Sequence, residues 1–318
     1  MKLIAAATLC LSLVAPAFAE REINFGIIST ETSAHLKENW QPLLDDMQKR
    51  TGIKVNAYFA SDYAGIIEAM RFNKVQVAWY GNKSGIEAVD RAKGEVFAQM
   101  IAPDGSNGYH SLLVVHKDTP IKSLDDVLKN AKNLDFGIGD PNSTSGFTVP
   151  MYYVFALNKI DPKTHFKTVR SANHEANLLS VVNKQVDVAT NNNENLERFK
   201  ARFPDKVNDV RIIWKSPLIP NDPLVWREDL PADVKAKIGD FVLSYGADAR
   251  EKENLKKITT AGFKASDNRQ LVPIRQLELY KDKLKIESDD KLEPSAKQAK
   301  IEEINRKLAE LETQLVSK

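Results

Sequence analysis

The sequence contains very little cysteine, which limits both its chemistry and the ways in which it can be stabilised. Its 318 residues include one cysteine, Cys10, inside an apolar run at residues 3–14. If this run is removed during export, the remaining chain has neither a disulfide nor a thiol nucleophile. We therefore expect the hydrophobic core alone to stabilise the fold.

Long hydrophobic runs are also missing. The run at residues 3–14 is shorter than the roughly 20 residues that a membrane-spanning helix needs, and no later stretch is both long and apolar. Lys2, the apolar run and the motif Ala17-Phe18-Ala19 instead form the pattern of a signal peptide. We predict a signal peptide at residues 1–19 and an exported protein of the bacterial periplasm.

An excess of charge of one sign is absent as well. The 45 lysine and arginine residues nearly balance 43 aspartate and glutamate residues, which gives a formal net charge of +2. A chain of this kind lacks the broad basic surface by which proteins hold nucleic acids. We therefore expect no nucleic-acid partner.

Motifs of the common enzyme classes do not occur. The sequence has no G-x-S-x-G elbow, no H-E-x-x-H zinc motif and no G-x-x-x-x-G-K phosphate loop. Its five histidines show no metal-ligand spacing. We predict no catalytic centre, metal or cofactor, although acid–base chemistry by Glu194 with His174 remains conceivable.

Strand and helix patterns alternate through most of the chain, which indicates an α/β protein with largely parallel sheets. Apolar runs typical of strands lie at residues 23–28, 55–60, 75–80, 111–115, 134–139, 166–170, 186–190 and 211–214. About 300 residues exceed what one core usually holds, so we predict two lobes. We place the first lobe at 20–113 and 221–288 and the second at 114–220, with two crossovers and a cleft between the lobes.

The C-terminal segment, residues 289–318, follows a different pattern. Apolar side chains recur at three-four spacing in Ile301, Ile304, Leu308, Leu311 and Leu315. This spacing predicts a long helix with a narrow apolar seam. The seam could pack on its own lobe or form a homodimer, and we favour the homodimer because the seam lies at the end of the chain.

The central binding signal is a turn with three consecutive hydroxyl residues, Ser143, Thr144 and Ser145. It lies between the predicted strand at 134–139 and a predicted helix at 147–160. A helix start offers free backbone N–H groups and the positive end of the helix dipole, and hydroxyls add neutral donors. The turn therefore suits a phosphate-like anion. Ordinary N-capping explains the same residues, and the segment taken alone favours capping.

Further candidates lie at strand ends and helix starts, namely Tyr63, Tyr109, His174, Glu194 and Asp222. Tyr63 could equally pack in a core. Tyr109 lies in a Gly-rich turn, where no amphipathic helix or strand pattern explains a tyrosine. Capping explains His174 as well as ligand contact does. The helix dipole explains Glu194, and a turn explains Asp222. Together these residues supply hydroxyls for an anion and two carboxylates for a cation.

Four segments carry a resemblance to a known family: Asp62-Tyr63-Ala64-Gly65, Ala78-Trp79-Tyr80-Gly81-Asn82, Gly139-Asp140-Pro141-Asn142-Ser143-Thr144-Ser145-Gly146 and Pro217-Leu218-Ile219-Pro220-Asn221-Asp222-Pro223. Through these segments, and through nearly the whole chain after residue 19, the sequence closely resembles the periplasmic phosphonate-binding proteins of bacterial phosphonate ABC transporters. The resemblance implies a type II periplasmic-binding-protein fold whose two α/β lobes close over the ligand. It also implies an inner-membrane permease as partner.

The resemblance further implies roles for individual residues. The phosphonate group would be held by Tyr63, Tyr109, Ser143, Thr144 and His174, with Ser145 as a helper. Glu194 and Asp222 match the carboxylates that take the ammonium of 2-aminoethylphosphonate. Two positions depart from the family pattern, because His110 stands in place of an aromatic residue and Asn193 in place of a threonine. Both could retune the pocket for the ligand's side chain.

We therefore expect a solute-binding protein that captures phosphonates, and 2-aminoethylphosphonate in particular, for an ABC importer. Binding of phosphate or phosphite is the alternative within transport, because these anions need no carboxylates deeper in the cleft. Hydrolysis of a phosphorus ester by Glu194 and His174 is the alternative from a different class.

Overall fold

The computed structural model describes the backbone of residues 21–316 and the side chains of residues 21–315. The predicted signal peptide at 1–19 lies outside the described residues. Within this part of the chain, no helix combines the length and the apolar character that are needed to span a membrane.

The strands agree closely with the apolar runs of the sequence. In chain order they are β1 (Glu22–Ile27), β2 (Lys54–Tyr58), β3 (Val77–Trp79), β4 (Gly94–Ile101), β5 (Gly108–Tyr109), β6 (Ser111–His116), β7 (Asp135–Ile138), β8 (Thr168–Ser171), β9 (Val188–Asn192), β10 (Val210–Lys215), β11 (Ile219–Pro220), β12 (Pro223–Arg227) and β13 (Gly262–Ala265). Every strand predicted from an apolar run is present, with its ends shifted by at most two residues. The strands β4, β5, β11, β12 and β13 are not among these runs.

The helices fill the connections between these strands. They are α1 (Ser33–Thr51), α2 (Tyr63–Arg71), α3 (Asn82–Arg91), α4 (Leu124–Asn130), α5 (Pro162–His165), α6 (His174–Val182), α7 (Asn193–Arg202), α8 (Pro204–Val207), α9 (Ala232–Ser244), α10 (Ala249–Lys257), α11 (Val272–Glu287) and α12 (Pro294–Val316). Side-chain caps fix several starts, because the side chains of Asp62, Ser123 and Asn173 each accept a backbone N–H from the first turn. Ser123 and Asp126 form the capping box that the sequence suggests.

The first lobe is built on a six-stranded sheet of mixed direction. Its strand order is β13-β4-β12-β3-β1-β2. The strand β1 pairs in parallel with β2 and β3, whereas β12 pairs antiparallel with β3 and β4, and β13 antiparallel with β4. The expectation of a largely parallel sheet is therefore wrong for half of this lobe. The chain returns from the second lobe and inserts β12 into the middle of the sheet.

The second lobe is built on a five-stranded sheet with the order β10-β6-β9-β7-β8. It is also mixed, because β7 pairs in parallel with β8 and β9, whereas β6 pairs antiparallel with β9 and β10. The expected boundary after residue 113 would divide β6. Ser111 pairs with Asn192 and Leu112 with Asn191, so the whole of β6 belongs to the sheet of the second lobe. The change of lobe comes before Ser111.

Two segments connect the lobes, and they are joined to each other. The strands β5 and β11, one from each crossover, pair antiparallel through Tyr109 with Ile219 and Gly108 with Pro220. A side chain at Gly108 has no room, because an added Cβ would lie 1.9 Å from the carbonyl oxygen of Ile219. This close approach holds the two crossovers side by side beneath the cleft.

Each lobe has its own aromatic core. In the first lobe, the ring centroid of Trp40 lies 5.7 Å from that of Phe25 and 5.1 Å from that of Trp79. In the second lobe, the rings of Phe136 and Phe166 stack at 4.6 Å between their centroids. Because Trp79 ends β3, the first core reaches directly to the edge of the cleft.

The C-terminal helix α12 packs against α11 of the same chain. Its seam residues Ile304, Leu308 and Leu311 are 7, 7 and 8% exposed, whereas Leu315 is 52% exposed. The seam that we expected to form a homodimer is therefore covered within one chain. The structure supports packing on the protein's own lobe, which was the alternative that we did not favour.

Candidate ligand-binding site

A small cavity lies between the lobes, at the carboxyl ends of several strands. All of the predicted site residues line it, namely Tyr63, Tyr109, Ser143, Thr144, Ser145, His174, Glu194 and Asp222. The first lobe contributes Tyr63, the crossovers contribute Tyr109 and Asp222, and the second lobe contributes the rest. Because both lobes contribute to its lining, a ligand in this cavity would contact both of them.

The hydroxyl turn begins a helix, and its three oxygens accept hydrogen bonds from different parts of the protein. Ser143 is the N-cap and accepts from the Gly146 backbone N–H at 3.0 Å. Thr144 Oγ1 accepts from the Lys83 backbone N–H of the first lobe at 2.8 Å, and Ser145 Oγ accepts from Asn192 Nδ2 at 3.0 Å. Ser143 is therefore an N-cap, as capping predicts. Each of the three hydroxyls nevertheless retains its own O–H as a hydrogen-bond donor.

The helix that follows is wound differently from the expected α-helix at 147–160. It is π-helical at Thr144–Thr148 and again at Met151–Ala156, so it begins three residues earlier than predicted. Gly146 packs against Gly139, and an added Cβ would lie 3.0 Å from the Gly139 Cα atom. A π-helical turn is uncommon and often occurs at functional sites.

His174 begins α6 beside the hydroxyl turn and is 2% exposed. Its Nε2 atom lies 3.3 Å from Ser143 Oγ and 3.3 Å from Asn192 Nδ2. Burial, with a smaller contribution from the positive charge of Arg198, lowers the pKa of His174 to about 3. The ring is therefore neutral in the empty site at ordinary pH, like the hydroxyls around it.

Tyr63 and Tyr109 are buried, at 2 and 3% exposure. Burial raises the pKa of both phenols far above their ordinary value, so both stay protonated and can donate. The Tyr109 hydroxyl donates to Asp222 Oδ1 at 3.0 Å. This contact links the hydroxyl-lined part of the cavity to the acidic part.

The cavity is also lined by two carboxyl groups, Glu194 and Asp222, which we call its acidic end. Burial raises the pKa of Glu194 to about 7, against the opposing influence of the positive Arg198. Burial and then the negative charge of Glu194 raise the pKa of Asp222 well above its ordinary value. Two acids this close in a buried site are poorly compensated, and a cationic group between them would stabilise both as carboxylates.

Several cavity residues were missed by the sequence reasoning: Thr30, Trp79, Asn192 and Arg198. Thr30 Oγ1 and Trp79 Nε1 are buried and meet no hydrogen-bond geometry with the described residues. The Trp79 indole nevertheless helps to lower the pKa of Asp222. Trp79 and Asn192 end β3 and β9, and Thr30 follows β1, so strand ends could have indicated these three residues, whereas Arg198 carries no such local signal.

The two departures from the family pattern do not line this cavity. The His110 backbone N–H donates to Asn193 Oδ1 at 2.6 Å, and the His110 ring contacts the Ser216 carbonyl oxygen at 2.8 Å. These residues therefore tie α7 to both crossovers. They hold together elements that form the cavity but are not part of its lining.

The fold and its cavity define a class of protein. Two α/β lobes of mixed sheets, joined by two adjacent crossovers and enclosing a small polar cavity, form the type II periplasmic-binding-protein fold. The long C-terminal helix is added to this fold. The class consists of two-lobed solute-binding proteins.

Comparison with known proteins gives the family. Residues 25–271 match the family model described as the periplasmic substrate-binding protein of the phosphonate ABC transporter. The chain is 55% identical over 304 residues to the phosphonates-binding periplasmic protein of Escherichia coli K12, covering 95% of this chain and 90% of the relative. The chain belongs to the family of periplasmic phosphonate-binding proteins of ABC transporters.

Solved structures agree with this assignment. A binding protein component of an ABC phosphonate transporter from Pseudomonas aeruginosa is 53% identical, with a TM-score of 0.92 over 94% of this chain and 99% of that one. A protein from Prochlorococcus marinus in complex with methylphosphonate is 21% identical, with a TM-score of 0.74 over 83% of this chain and 100% of that one. The second likeness shows the fold alone. The family is one of transport proteins and not of enzymes.

Proposed function

We propose that the chain captures 2-aminoethylphosphonate and delivers it to an inner-membrane permease. The observation that carries this proposal is that neutral hydroxyl donors and two carboxyl groups line the same cavity. The hydroxyl donors form what we call the neutral end, and the two carboxyl groups of the acidic end lack a full set of counter-charges. A phosphonate and an ammonium at opposite ends of a short ligand complement this arrangement.

The neutral end suits the phosphonate group. The hydroxyl oxygens of Ser143, Thr144 and Ser145 each accept an N–H group from the protein. Their O–H groups therefore remain as donors for a ligand. The start of the π-helical segment adds its dipole. Each hydrogen bond to a charged oxygen contributes about 1.5–3 kcal/mol.

The acidic end suits the ammonium group. An ammonium between Glu194 and Asp222 would favour their ionised forms and relieve the repulsion between them. Methylphosphonate lacks this group and would leave the carboxyls uncompensated. We therefore expect 2-aminoethylphosphonate to bind more tightly than methylphosphonate.

Phosphate or phosphite is the second candidate. A curated relative from Mycolicibacterium smegmatis, 27% identical, is named a phosphate-import protein, and one from Prochlorococcus marinus, 25% identical, is named a probable phosphite-binding protein. Against this candidate, a small anion gives Glu194 and Asp222 no partner. Hydrolysis of a phosphorus ester finds less support, because the pKa of His174, lowered to about 3, makes this ring a poor base.

The test is a calorimetric panel of 2-aminoethylphosphonate, methylphosphonate, phosphate and phosphite on the wild-type protein and on Glu194→Gln. The substitution keeps the shape of the side chain and removes its charge. We expect it to weaken 2-aminoethylphosphonate by about tenfold to a hundredfold, which corresponds to one charge-assisted hydrogen bond. Methylphosphonate should lose much less.

Glu197→Gln is the matched control, because Glu197 lies on the same helix and is exposed. It should leave all four affinities unchanged. Equal losses of both phosphonates in Glu194→Gln would remove the ammonium from the acidic end. A wild-type protein that binds phosphate most tightly, or that turns over a phosphorus ester, would replace the proposal with one of its rivals.

A further inference from the structure

Arg198 occupies a special position at the acidic end of the cavity. It lies on α7 one turn after Glu194, and both side chains line the cavity. The same arginine also lines a larger groove outside, of about 1120 Å³, which runs between the lobes. Arg198 therefore forms the wall between the ligand cavity and the outer groove.

Arg198 belongs to the second lobe, but its side chain forms hydrogen bonds with residues of the first lobe. Arg198 Nε donates to Glu31, which follows β1, and Arg198 Nη1 donates to Thr259 Oγ1 at 3.3 Å. Glu31 is 4% exposed, and its carboxylate oxygens also accept from Asn39 and Asn195, each at 3.4 Å. The ion pair therefore exists only when the two lobes are together.

Arg198 is close enough to the acidic end to affect it electrically. Its charge opposes the rise in the pKa of Glu194 and of Asp222. A guanidinium free to turn toward these carboxylates would pair with them, because arginine matches carboxylates in a bidentate geometry. Such a pairing would occupy the place that an ammonium needs.

We propose that Glu31 is a specificity-determining residue that acts through Arg198. As the lobes close, Glu31 holds the guanidinium on the side of the first lobe and leaves Glu194 and Asp222 free for the ammonium of the ligand. This inference rests on the proposed function, since it concerns the same acidic end. It makes Glu31 a positioning residue that touches no ligand.

The neighbouring charges do not replace Glu31 in this role. His35 and Glu175 form a second pair across the lobes, with His35 Nδ1 2.6 Å from Glu175 Oε2. Side-chain donor and acceptor atoms of Glu31, His35 and Glu175 lie within 4.8 Å of one another. Glu175 belongs to α6 of the second lobe and is already paired with His35, so it does not offer Arg198 the first-lobe carboxylate that Glu31 supplies.

The experiment compares Glu31→Gln with the double variant Glu31→Gln/Arg198→Met by calorimetry on the full chain. Freed from Glu31, Arg198 should compete with the ammonium. We expect Glu31→Gln to weaken 2-aminoethylphosphonate by about tenfold or more and methylphosphonate by less than about threefold. The double variant removes the competing cation and should regain the preference for 2-aminoethylphosphonate.

Glu38→Gln is the matched control for lobe closure. Arg202 lies on α7 like Arg198, and it pairs across the lobes at 2.8 Å with Glu38 of α1, on the surface. This variant loses an ion pair between the lobes without affecting the acidic end. It should shift both phosphonates by less than about threefold.

The outcomes separate the two proposals. A wild-type protein without a preference for 2-aminoethylphosphonate overturns the proposed function. A wild-type preference, combined with equal losses of both ligands in Glu31→Gln, overturns the specificity role and leaves Glu31 as a closure contact only. A double variant that stays as unselective as the single one also overturns it. Retained methylphosphonate binding shows that each variant is folded.

Discussion

Thr144 joins the two lobes and faces the ligand cavity at the same time. Its Oγ1 atom accepts the backbone N–H of Lys83 from the first lobe, and its O–H group remains as a donor. Thr144→Val keeps the shape and removes both interactions. We expect a loss of about tenfold or more in affinity for 2-aminoethylphosphonate and methylphosphonate alike, measured by calorimetry.

Thr148→Val provides the comparison on the same helical segment. Thr148 is 1% exposed, and its Oγ1 atom meets no hydrogen-bond geometry with the described residues. Replacing that hydroxyl with a methyl group should leave both affinities unchanged and should not lower the thermal midpoint. If Thr144→Val also left both affinities unchanged, the hydroxyl turn would have no role in binding.

Glu194 predicts a pH dependence with a definite sign. With its pKa raised to about 7, this carboxyl is largely protonated in the empty site below that pH. An ammonium ligand favours the ionised form, so binding below pH 7 should release a proton from Glu194. The affinity for 2-aminoethylphosphonate should then fall by up to about tenfold per pH unit below 7.

Calorimetry at pH 6 in two buffers of different ionisation enthalpy measures this proton. The phosphonate group itself also titrates, so the same ligand must be compared on the wild type and on Glu194→Gln. The difference between the two proteins isolates the proton of Glu194. An identical proton release from both would show that the carboxyl is already ionised before the ligand arrives.

A site residue was predictable from the sequence where its side-chain type and its position at a strand end or helix start both indicate ligand binding. The hydroxyl turn and the acids Glu194 and Asp222 stand at strand ends or helix starts, where the chain direction alone suggests a ligand. Arg198 carried no such signal, because its role depends on Glu31, which is 167 positions away in the sequence. Contacts between lobes arise only when the whole chain folds.

At the scale of elements, α12 shows how an apolar seam can be misread. A three-four pattern specifies a helix with one apolar face, but it does not specify the surface that covers that face. Here the surface is α11 of the same chain. We therefore expect Leu308→Ala to lower the free energy of unfolding by about 2 kcal/mol or more, measured by denaturant unfolding.

Leu315→Ala is the control within the same seam. Leu315 is 52% exposed, against 7% for Leu308, so its loss should change the free energy of unfolding by less than about 0.5 kcal/mol. Both variants and the wild type should have the mass of one chain in light scattering. A wild-type dimer that Leu308→Ala dissociates would restore the homodimer as the role of this helix.

Sheet direction was harder to predict than the strands themselves. Apolar runs marked β1 and β3 well, because most of their residues are buried. The antiparallel half of the first sheet comes from β4, β12 and β13, whose pairing depends on the return of the chain from the second lobe. The hydropathy pattern of a single strand does not show which distant strand it pairs with or in which direction.

At the scale of the whole molecule, closure and binding use the same atoms. Three contacts join the lobes directly at the cavity wall: the Tyr63 N–H to Asp140 Oδ2 at 3.2 Å, the Lys83 N–H to Thr144 Oγ1 at 2.8 Å and the Glu175 N–H to the Thr30 carbonyl oxygen at 3.2 Å. Each of them uses one residue that lines the cavity, namely Tyr63, Thr144 or Thr30. A ligand that bridges the lobes therefore adds to contacts that already favour the closed form.

The enclosed cavity has a kinetic consequence. Since both lobes form its walls, a bound molecule contacts both of them and loses part of its contacts when they separate. Its escape rate therefore rises with the rate at which the two lobes separate about the paired crossovers. A transporter that separates the lobes would thus release the molecule by removing the contacts that one lobe supplies.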